Sequence, residues 1–309
     1  MHYLVTGGAG FIGSHLCEAL LKGGHRLTVL DNLSTGKREN LPDNVHLIEG
    51  DAADRRVLSK MMPNVDGVFH LAAIASVQQS IEAWADTSHA NQFATIALLE
   101  AISKRVGGMI PFVYASSAAV YGDPDASYLP ITESTHTLQL TPYGADKLGS
   151  EQHARIARHL FGIPTLGLRF FNVYGERQDP SSPYSGVISI FMDRLSQGQG
   201  ITIFGDGQQT RDFIYVGDVV ARLIAAMELL ERGEQPKAHA INVCHGQATS
   251  LLELAGAIAK LHGITPNMTH APARAGDIAH SLGDASVSHE CLKCAATISL
   301  EEGLSRMIG

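Results

Sequence analysis

A glycine-rich segment follows directly on the first strand-like run of the chain, and it narrows the fold more than any other feature. Tyr3-Leu4-Val5-Thr6 leads into Gly7-Gly8-Ala9-Gly10-Phe11-Ile12-Gly13, and a helical pattern opens at Phe11. The glycines satisfy Gly-x-Gly-x-x-Gly through Gly8, Gly10 and Gly13, and Gly-x-x-Gly-x-x-Gly through Gly7, Gly10 and Gly13. Missing side chains allow a tight turn and let a pyrophosphate approach backbone N–H groups at a helix N-terminus. A glycine run alone could be an ordinary loop; the strand before it and the helix after it favour a phosphate loop. Asp31 ends the second strand-like run, 18 residues beyond Gly13. A carboxylate there accepts from both ribose hydroxyls of NAD and repels the 2′-phosphate of NADP. It could also cap the turn Asn32-Leu33-Ser34-Thr35-Gly36, and the two roles are compatible. The expected dinucleotide is NAD.

Strand-like apolar runs alternate with helical patterns through the first half. Tyr3–Thr6, Arg26–Asp31, Val45–Glu49, Gly67–Leu71, Pro111–Ala115 and Thr165–Phe170 read as short buried strands. Phe11–Lys22, Arg55–Met62, Asn91–Arg105 and Pro142–Leu160 read as helices. Right-handed crossovers between them imply an α/β fold with one doubly wound parallel sheet. Beyond about Asn172 the pattern becomes irregular, which predicts a smaller mixed α/β substrate-binding region. Asp212–Val216 and His239–Val243 read as buried strands that return to the large sheet. The expected division is a cofactor domain over 1–172, rejoined by about 212–243, and a substrate region over 173–211 and 244–309.

Composition removes several other classes. With 309 residues, 45% apolar and 17% charged, the chain can bury a sizeable core and is neither disordered nor a coiled coil. A net charge of −8 argues against a general nucleic-acid binder. No apolar run reaches the roughly 18 residues that span a bilayer, so no membrane partner is expected. The first residues lack the basic flank, apolar stretch and cleavage site of a signal peptide. Four cysteines are too few for a disulfide scaffold, and the cytoplasm is the expected compartment. Cys291 and Cys294 with His289 lack the further ligands of a closed zinc site, so no metal is expected.

Tyr143 and Lys147 stand at i, i+4 on one helical face. A phenol of pKa near 10 moves toward phenolate beside a lysine and an oxidised nicotinamide. That would make Tyr143 a general base for an alcohol proton. The pair could also be incidental on a surface helix. Upstream, Ser116 and Ser117 end a strand at the carboxyl edge of the sheet, where α/β sites lie. A serine there could relay the proton, or merely satisfy local backbone.

In order along the chain stand the glycine motif, Asp31-Asn32-Leu33, Gly50-Asp51, His70-Leu71-Ala72-Ala73, Ser116 through Gly122, Tyr143-x-x-x-Lys147 and Arg169-Phe170-Phe171-Asn172. Over essentially its whole length the chain resembles the extended short-chain dehydrogenase/reductases. Within them it is similar to the UDP-sugar 4-epimerases, most of all those acting on UDP-N-acetylglucosamine. The resemblance implies a Rossmann domain with NAD as cofactor. It implies Gly7, Gly10, Phe11, Ile12 and Gly13 at the pyrophosphate, and Asp31, Asn32, Ser34, Thr35 and Gly36 around the adenosine ribose. Asp51 and Ala52 would meet the adenine, and Leu71, Ala72, Ala73, Ala75, Asn91 and Phe170 would line the remaining channel. Tyr143 matches the base, Lys147 the nicotinamide-ribose ligand and Ser117 the proton relay. Ala75 replaces a lysine found in some glucose/galactose epimerases, so one supporting cation is missing. His70 reads as structural. A homodimer is implied as well, pairing the Asn91–Arg105 helix, through Phe93, Ile96, Ala97 and Leu99, with the tyrosine-bearing helix; burial against the parent sheet competes for those positions.

The same resemblance assigns Asn172 to a diphosphate, and Arg211 and Arg274 to its two arginine motifs. Either arginine could instead form a surface ion pair. Asp277 would accept from uridine ribose, Thr202 and Phe204 would border the uracil, and Ser76, Gln178 and Val187 would complete the substrate set. Dehydratases of this kind carry an acid pair after the catalytic hydroxyl, and decarboxylases usually a glutamate. Here Ala118 and Ala119 stand there, so 4-epimerisation through a transient 4-keto sugar is expected. Ser281 matches the position where a tyrosine restricts some enzymes to unacetylated hexoses, which points to UDP-GlcNAc and UDP-GalNAc. UDP-glucose/UDP-galactose and UDP-glucuronate epimerases are the alternatives. An NADPH-dependent reductase is disfavoured by Asp31, and a non-catalytic NAD-binding protein by the intact Ser117, Tyr143 and Lys147.

Overall fold

Strands with unbroken apolar runs must be covered on both faces, and the chain supplies a helix layer for each. The computed structural model describes residues 1–179, 186–273 and 278–308. Its first half runs β1 (His2–Thr6), α1 (Phe11–Lys22), β2 (Arg26–Asp31), β3 (His46–Glu49), α2 (Arg55–Met61), β4 (Gly67–His70), α3 (Val77–Glu82), α4 (Trp84–Ser88), α5 (Ala94–Ser103), β5 (Phe112–Ser117), α6 (Pro142–Phe161) and β6 (Thr165–Phe170). The second half runs β7 (Asn172–Tyr174), α7 (Val187–Ser196), β8 (Ile201–Phe204), β9 (Thr210–Tyr215), α8 (Val216–Glu231), β10 (Ala240–Val243), β11 (Ala248–Ser250), α9 (Leu251–His262), β12 (Met268–Ala271), α10 (Ser286–Leu292) and α11 (Leu300–Arg306).

Seven parallel strands form one sheet in the order β10-β6-β5-β4-β1-β2-β3. The order reverses between β1 and β4, which opens a crevice at their carboxyl ends. Leu16 and Leu20 of α1 and Leu223 and Met227 of α8 pack on one face against Val5, Phe69 and Leu168. Leu58 of α2, Leu98 and Ile102 of α5 and Ala154 of α6 cover the other face against Leu4, Val68 and Phe112. A third cluster joins α7, α9, β8 and β9 through Phe191, Ile258, Ile203 and Phe213. This is the doubly wound Rossmann architecture with a smaller mixed region. Among the described residues no helix is long and apolar enough to cross a membrane.

Two expectations need correction. The run 212–216 does not return to the large sheet: β9 is the middle strand of a three-stranded sheet, antiparallel to β11 and parallel to β7. Its alternation explains why, since Ile214 packs into the large-sheet core while Phe213 and Tyr215 enter the third cluster. The place beside β6 is taken by β10. The helix expected over 91–105 opens instead with a π-helical turn, His89–Phe93, before α5. Ala97 and Leu99 are buried in the sheet core, so the parent sheet takes these two positions. Phe93 stays exposed, its ring stacked on His89.

Candidate active site

Helix α6 carries the chemistry, and its start is written locally. Thr141 Oγ1 accepts from Gly144 N–H at 3.1 Å, Pro142 occupies the first turn, and Gly162 (φ +70°) closes the helix. Tyr143, Lys147 and Glu151 follow at intervals of one turn, all facing β5. Lys147 is buried, and its Nζ donates to Ala115 O at 3.0 Å and sits 5.7 Å from the Tyr143 ring centroid. Ser117 ends β5, where its Oγ accepts from Ala119 N–H at 3.1 Å, and it lines the same cleft as Tyr143. The three side chains expected to act together do lie together.

Their electrostatics differ from the simple reading of a lysine-stabilised phenolate. Burial raises the Tyr143 phenol above its ordinary value; the neighbouring Ser117 hydroxyl opposes the rise and Asp146 adds to it. Burial also pushes Lys147 down to about 8, with Asp146 pulling the other way. In the protein alone the phenol therefore holds its proton and Lys147 is the looser group. His70 is fully enclosed, bonded to Thr6 Oγ1 at 2.7 Å and Thr95 Oγ1 at 3.1 Å, and burial pushes it down to about 3. It is a neutral structural ring.

A cleft of about 200 Å³ opens beside this group. Ser117, Tyr143, Phe170, Asn172, Arg211 and Ser281, from five stretches of the chain, all line it, together with Ala118 and Ala119. Arg211 Nη1 donates to Thr210 O and Ile278 O at 2.9 and 2.7 Å. Ser281 is buried and its N–H donates to Thr210 O at 3.1 Å. No carboxylate stands among the described lining residues.

The other substrate candidates lie outside that lining. Ser76 caps α3, accepting from Gln79 N–H at 3.0 Å. Gln178 donates to Val173 O at 3.5 Å, and Val187 opens α7 beside the third cluster. Thr202 is exposed on β8, where it meets Thr269 Oγ1 at 3.3 Å, and Phe204 ends that strand half-buried. Arg274 and Asp277 fall outside the described residues. Sequence reasoning missed Val77 and Ile131 in the lining, and Ser80, whose Oγ accepts from Tyr143 N–H at 3.2 Å. Nothing local marks them, because each reaches the site through tertiary packing.

The crevice at the switch of strand order suits a dinucleotide. Gly7 adopts φ +70°, and a Cβ there would lie 2.6 Å from Ala72 N. A Cβ on Gly13 would lie 2.1 Å from Gly7 O, so only glycine lets loop and helix meet this closely. Gly10 caps α1 with no side-chain hydrogen bond and no acid follows in the first turn, which leaves N–H groups to an anion near Phe11 and Ile12. Asp31 is buried at the end of β2, its two oxygens accepting from Ala9 and Leu33 N–H at 2.9 Å each. Those bonds aim it, and a carboxylate has further lone pairs for ribose hydroxyls. Asn32 caps the turn through Ser34 N–H, with Thr35 exposed and Gly36 packed on Ala9. Asp51 is exposed with Ala52 buried behind it. The 71–75 segment is held by Asn91, which accepts from Ile74 N–H at 2.7 Å and donates to Ile74 O at 3.2 Å. Leu71 and Ala72 are bonded back to Thr6, and Ala73 and Ala75 continue the segment beyond them. These residues could hold NAD. Among the described residues no group of three His, Cys, Asp or Glu side chains could hold a metal ion.

Known proteins are similar to this chain over nearly its whole length. The UDP-glucose 4-epimerase of Mycolicibacterium smegmatis is 35% identical over 317 aligned positions, covering all of this chain and 97% of that one. A structure of UDP-glucose 4-epimerase with UDP-glucose from Thermotoga maritima superposes with a TM-score of 0.93 at 34% identity, covering 100% and 97% of the two chains. A UDP-N-acetylglucosamine 4-epimerase from Methanobrevibacter ruminantium, in complex with UDP-N-acetylmuramic acid, gives 0.91 at 34% identity over 99% and 96%. The model of the NAD dependent epimerase/dehydratase family matches residues 3–244, from β1 to the end of β10. The chain belongs to that family, and its cofactor is NAD.

Proposed function

We propose that the protein is a UDP-sugar 4-epimerase whose preferred pair is UDP-GlcNAc and UDP-GalNAc. One observation carries the reaction type: the cleft presents the hydroxyls of Ser117 and Tyr143, while the next two lining residues, Ala118 and Ala119, can neither give nor take a proton. Elimination of water would need an acid there. Epimerisation needs only a base at the 4-hydroxyl. Once Tyr143 and Lys147 together have lost one proton, Tyr143 as phenolate takes the 4-hydroxyl proton through or beside Ser117, while Lys147 keeps the remaining proton and its positive charge. NAD, held by the 7–13 loop and Asp31, would supply the hydride acceptor and donor that exchange at C4 requires. Asn172 and Arg211 hold the diphosphate, so the sugar can turn between the two transfers. A homodimer through α5 and α6 belongs to the same reading, with Phe93 exposed in the turn before α5 and Ile156 and Leu160 exposed along α6.

The sugar is read from Ser281. Its side chain lines the same cleft as Tyr143, and serine leaves the volume that an N-acetyl group requires. Names of relatives favour a second reading, UDP-glucose and UDP-galactose. Incubating the purified protein with UDP-GlcNAc, UDP-glucose and UDP-glucuronate, without added cofactor, and following epimers by NMR tests both. Ser281→Tyr should lower kcat/KM for UDP-GlcNAc about 10–100-fold more than for UDP-glucose. A wild type that already prefers UDP-glucose by kcat/KM overturns the acetyl preference.

The Tyr143–Lys147 pair also fixes the sign of a pH dependence. The working form requires that Tyr143 and Lys147 together have lost one proton. With Lys147 near 8 and the phenol above its ordinary value, that first proton leaves at or below about pH 8. At saturating NAD, kcat/KM should rise with unit slope to that pH and then level. Lys147→Met leaves only the raised phenol, so its limb should shift to higher pH. Coincident profiles for the two proteins would show that they are not coupled.

A further inference from the structure

We propose that Arg177 and Asp179 form a clasp over the adenosine end of the NAD site, and that this clasp sets the rate at which the cofactor leaves. The inference rests on the cofactor and not on which sugar is bound. Segment 176–179 follows β7, yet it turns back onto the phosphate-loop helix. Arg177 Nη1 donates to Glu18 Oε1 of α1 at 2.6 Å and to Asn40 O at 3.3 Å. Lys37 Nζ lies 3.0 Å from Asp179 Oδ2. His15 Nε2, also on α1, donates to Glu176 O at 2.9 Å.

Lys37 and Asn40 belong to the loop behind Asp31, and that loop is tied to the phosphate loop at one residue. Lys37 N–H and Asn40 Nδ2 donate to Ala9 O at 3.0 and 2.9 Å, while Ala9 N–H donates to Asp31 Oδ2 at 2.9 Å. Phosphate loop, ribose acid and the 32–40 loop are thus one hydrogen-bonded unit, fastened from outside by Arg177 and Asp179. Backbone strain marks both partners. Leu33 has φ +56° and Arg177 φ +66°, a region that L side chains disfavour and that persists only where surrounding contacts outweigh it. One guanidinium nitrogen, Nη1, thus bonds a carboxylate on α1 and a carbonyl of the 32–40 loop. An adenosine bound against Asp31 can leave only when the 32–40 loop lifts, and lifting breaks the clasp.

The experiment follows NAD itself. Holoenzyme is diluted into an excess of a glycohydrolase that cleaves free NAD, and the cofactor still bound is quantified against time. Arg177→Gly removes the guanidinium and relieves the positive φ, so it should release NAD at least tenfold faster without lowering thermal stability of the cofactor-free protein. Lys37→Asp and Asp179→Lys should each speed release two- to fivefold, and the double charge exchange should return it to within twofold of wild type. Release from wild type should quicken with salt, because the Lys37 pair is exposed. A release rate for Arg177→Gly within twofold of wild type overturns the proposal. So does a charge exchange that is no slower than its single variants, and this second arm decides alone if Arg177→Gly fails to fold.

Discussion

Tyr143→Phe is expected to cut kcat by about 10²–10⁴, the range of a positioned general acid–base, while the protein keeps its fold and its NAD. The substitution removes only the phenol oxygen, and the ring that packs near Lys147 remains in phenylalanine. NMR turnover, circular dichroism and cofactor content by chromatography separate chemistry from folding and from cofactor loss. Ser117→Ala should be slow as well, and the double variant should be little slower than Tyr143→Phe, because both groups handle one proton. A phenylalanine variant with near-normal turnover would remove Tyr143 from the reaction altogether.

The largest expected loss of stability lies two turns beyond Tyr143 on the same helix. Glu151 receives Arg169 through Nε and Nη2 at 2.9 and 2.7 Å, and both side chains are buried at 7% and 9% exposure. Ser116 Oγ donates to the same carboxylate, and Arg169 Nη1 donates to Tyr121 OH, which donates onward to Asn242 Oδ1 at 2.7 Å. Burial works against the Arg169 charge, and Glu151 more than restores it. Glu151→Ala would leave a buried guanidinium without its counter-ion, at a cost of about 3–5 kcal/mol. Urea unfolding should show it as a lower midpoint. The double variant Glu151→Met, Arg169→Met should recover much of the loss, since no uncompensated charge remains. Equal losses in the single and double variants would place the damage in packing instead.

The parallel sheet was legible because its evidence is local: apolar runs of strand length, a glycine turn at a strand end, and capping residues at helix starts. Tyr143, Lys147 and Ser117 were legible for the same reason, each lying on an element whose phase the sequence sets. Segment 212–216 was misassigned because an apolar run marks burial but not the sheet that provides it; β7 and β11 decide that, and both are only three residues long. Ala97 and Leu99 were ambiguous between parent sheet and partner, a choice that helical spacing does not encode. The Glu151–Arg169 pair escaped notice because its members join α6 to β6 and nothing in either segment calls for the other. The charge state of the Tyr143–Lys147 pair escaped for a related reason: spacing shows proximity, whereas burial decides the proton.

The far wall of the cleft is sewn on late. Ile131 N–H donates to Leu282 O and Asp284 N–H donates to Ile131 O, each at 2.8 Å, joining positions about 150 residues apart. A chain emerging from the ribosome therefore finishes its seven-stranded sheet, whose last strand ends at Val243, before Ile278, His280 and Ser281, which complete the cleft, have been made. Cofactor capture needs only the earlier stretch, and substrate binding awaits the later one. Loop closure over such a separation is slow. The nascent protein should thus pass through a stage that holds NAD and cannot yet hold a nucleotide sugar, with bound cofactor steadying the half already built while the other arrives.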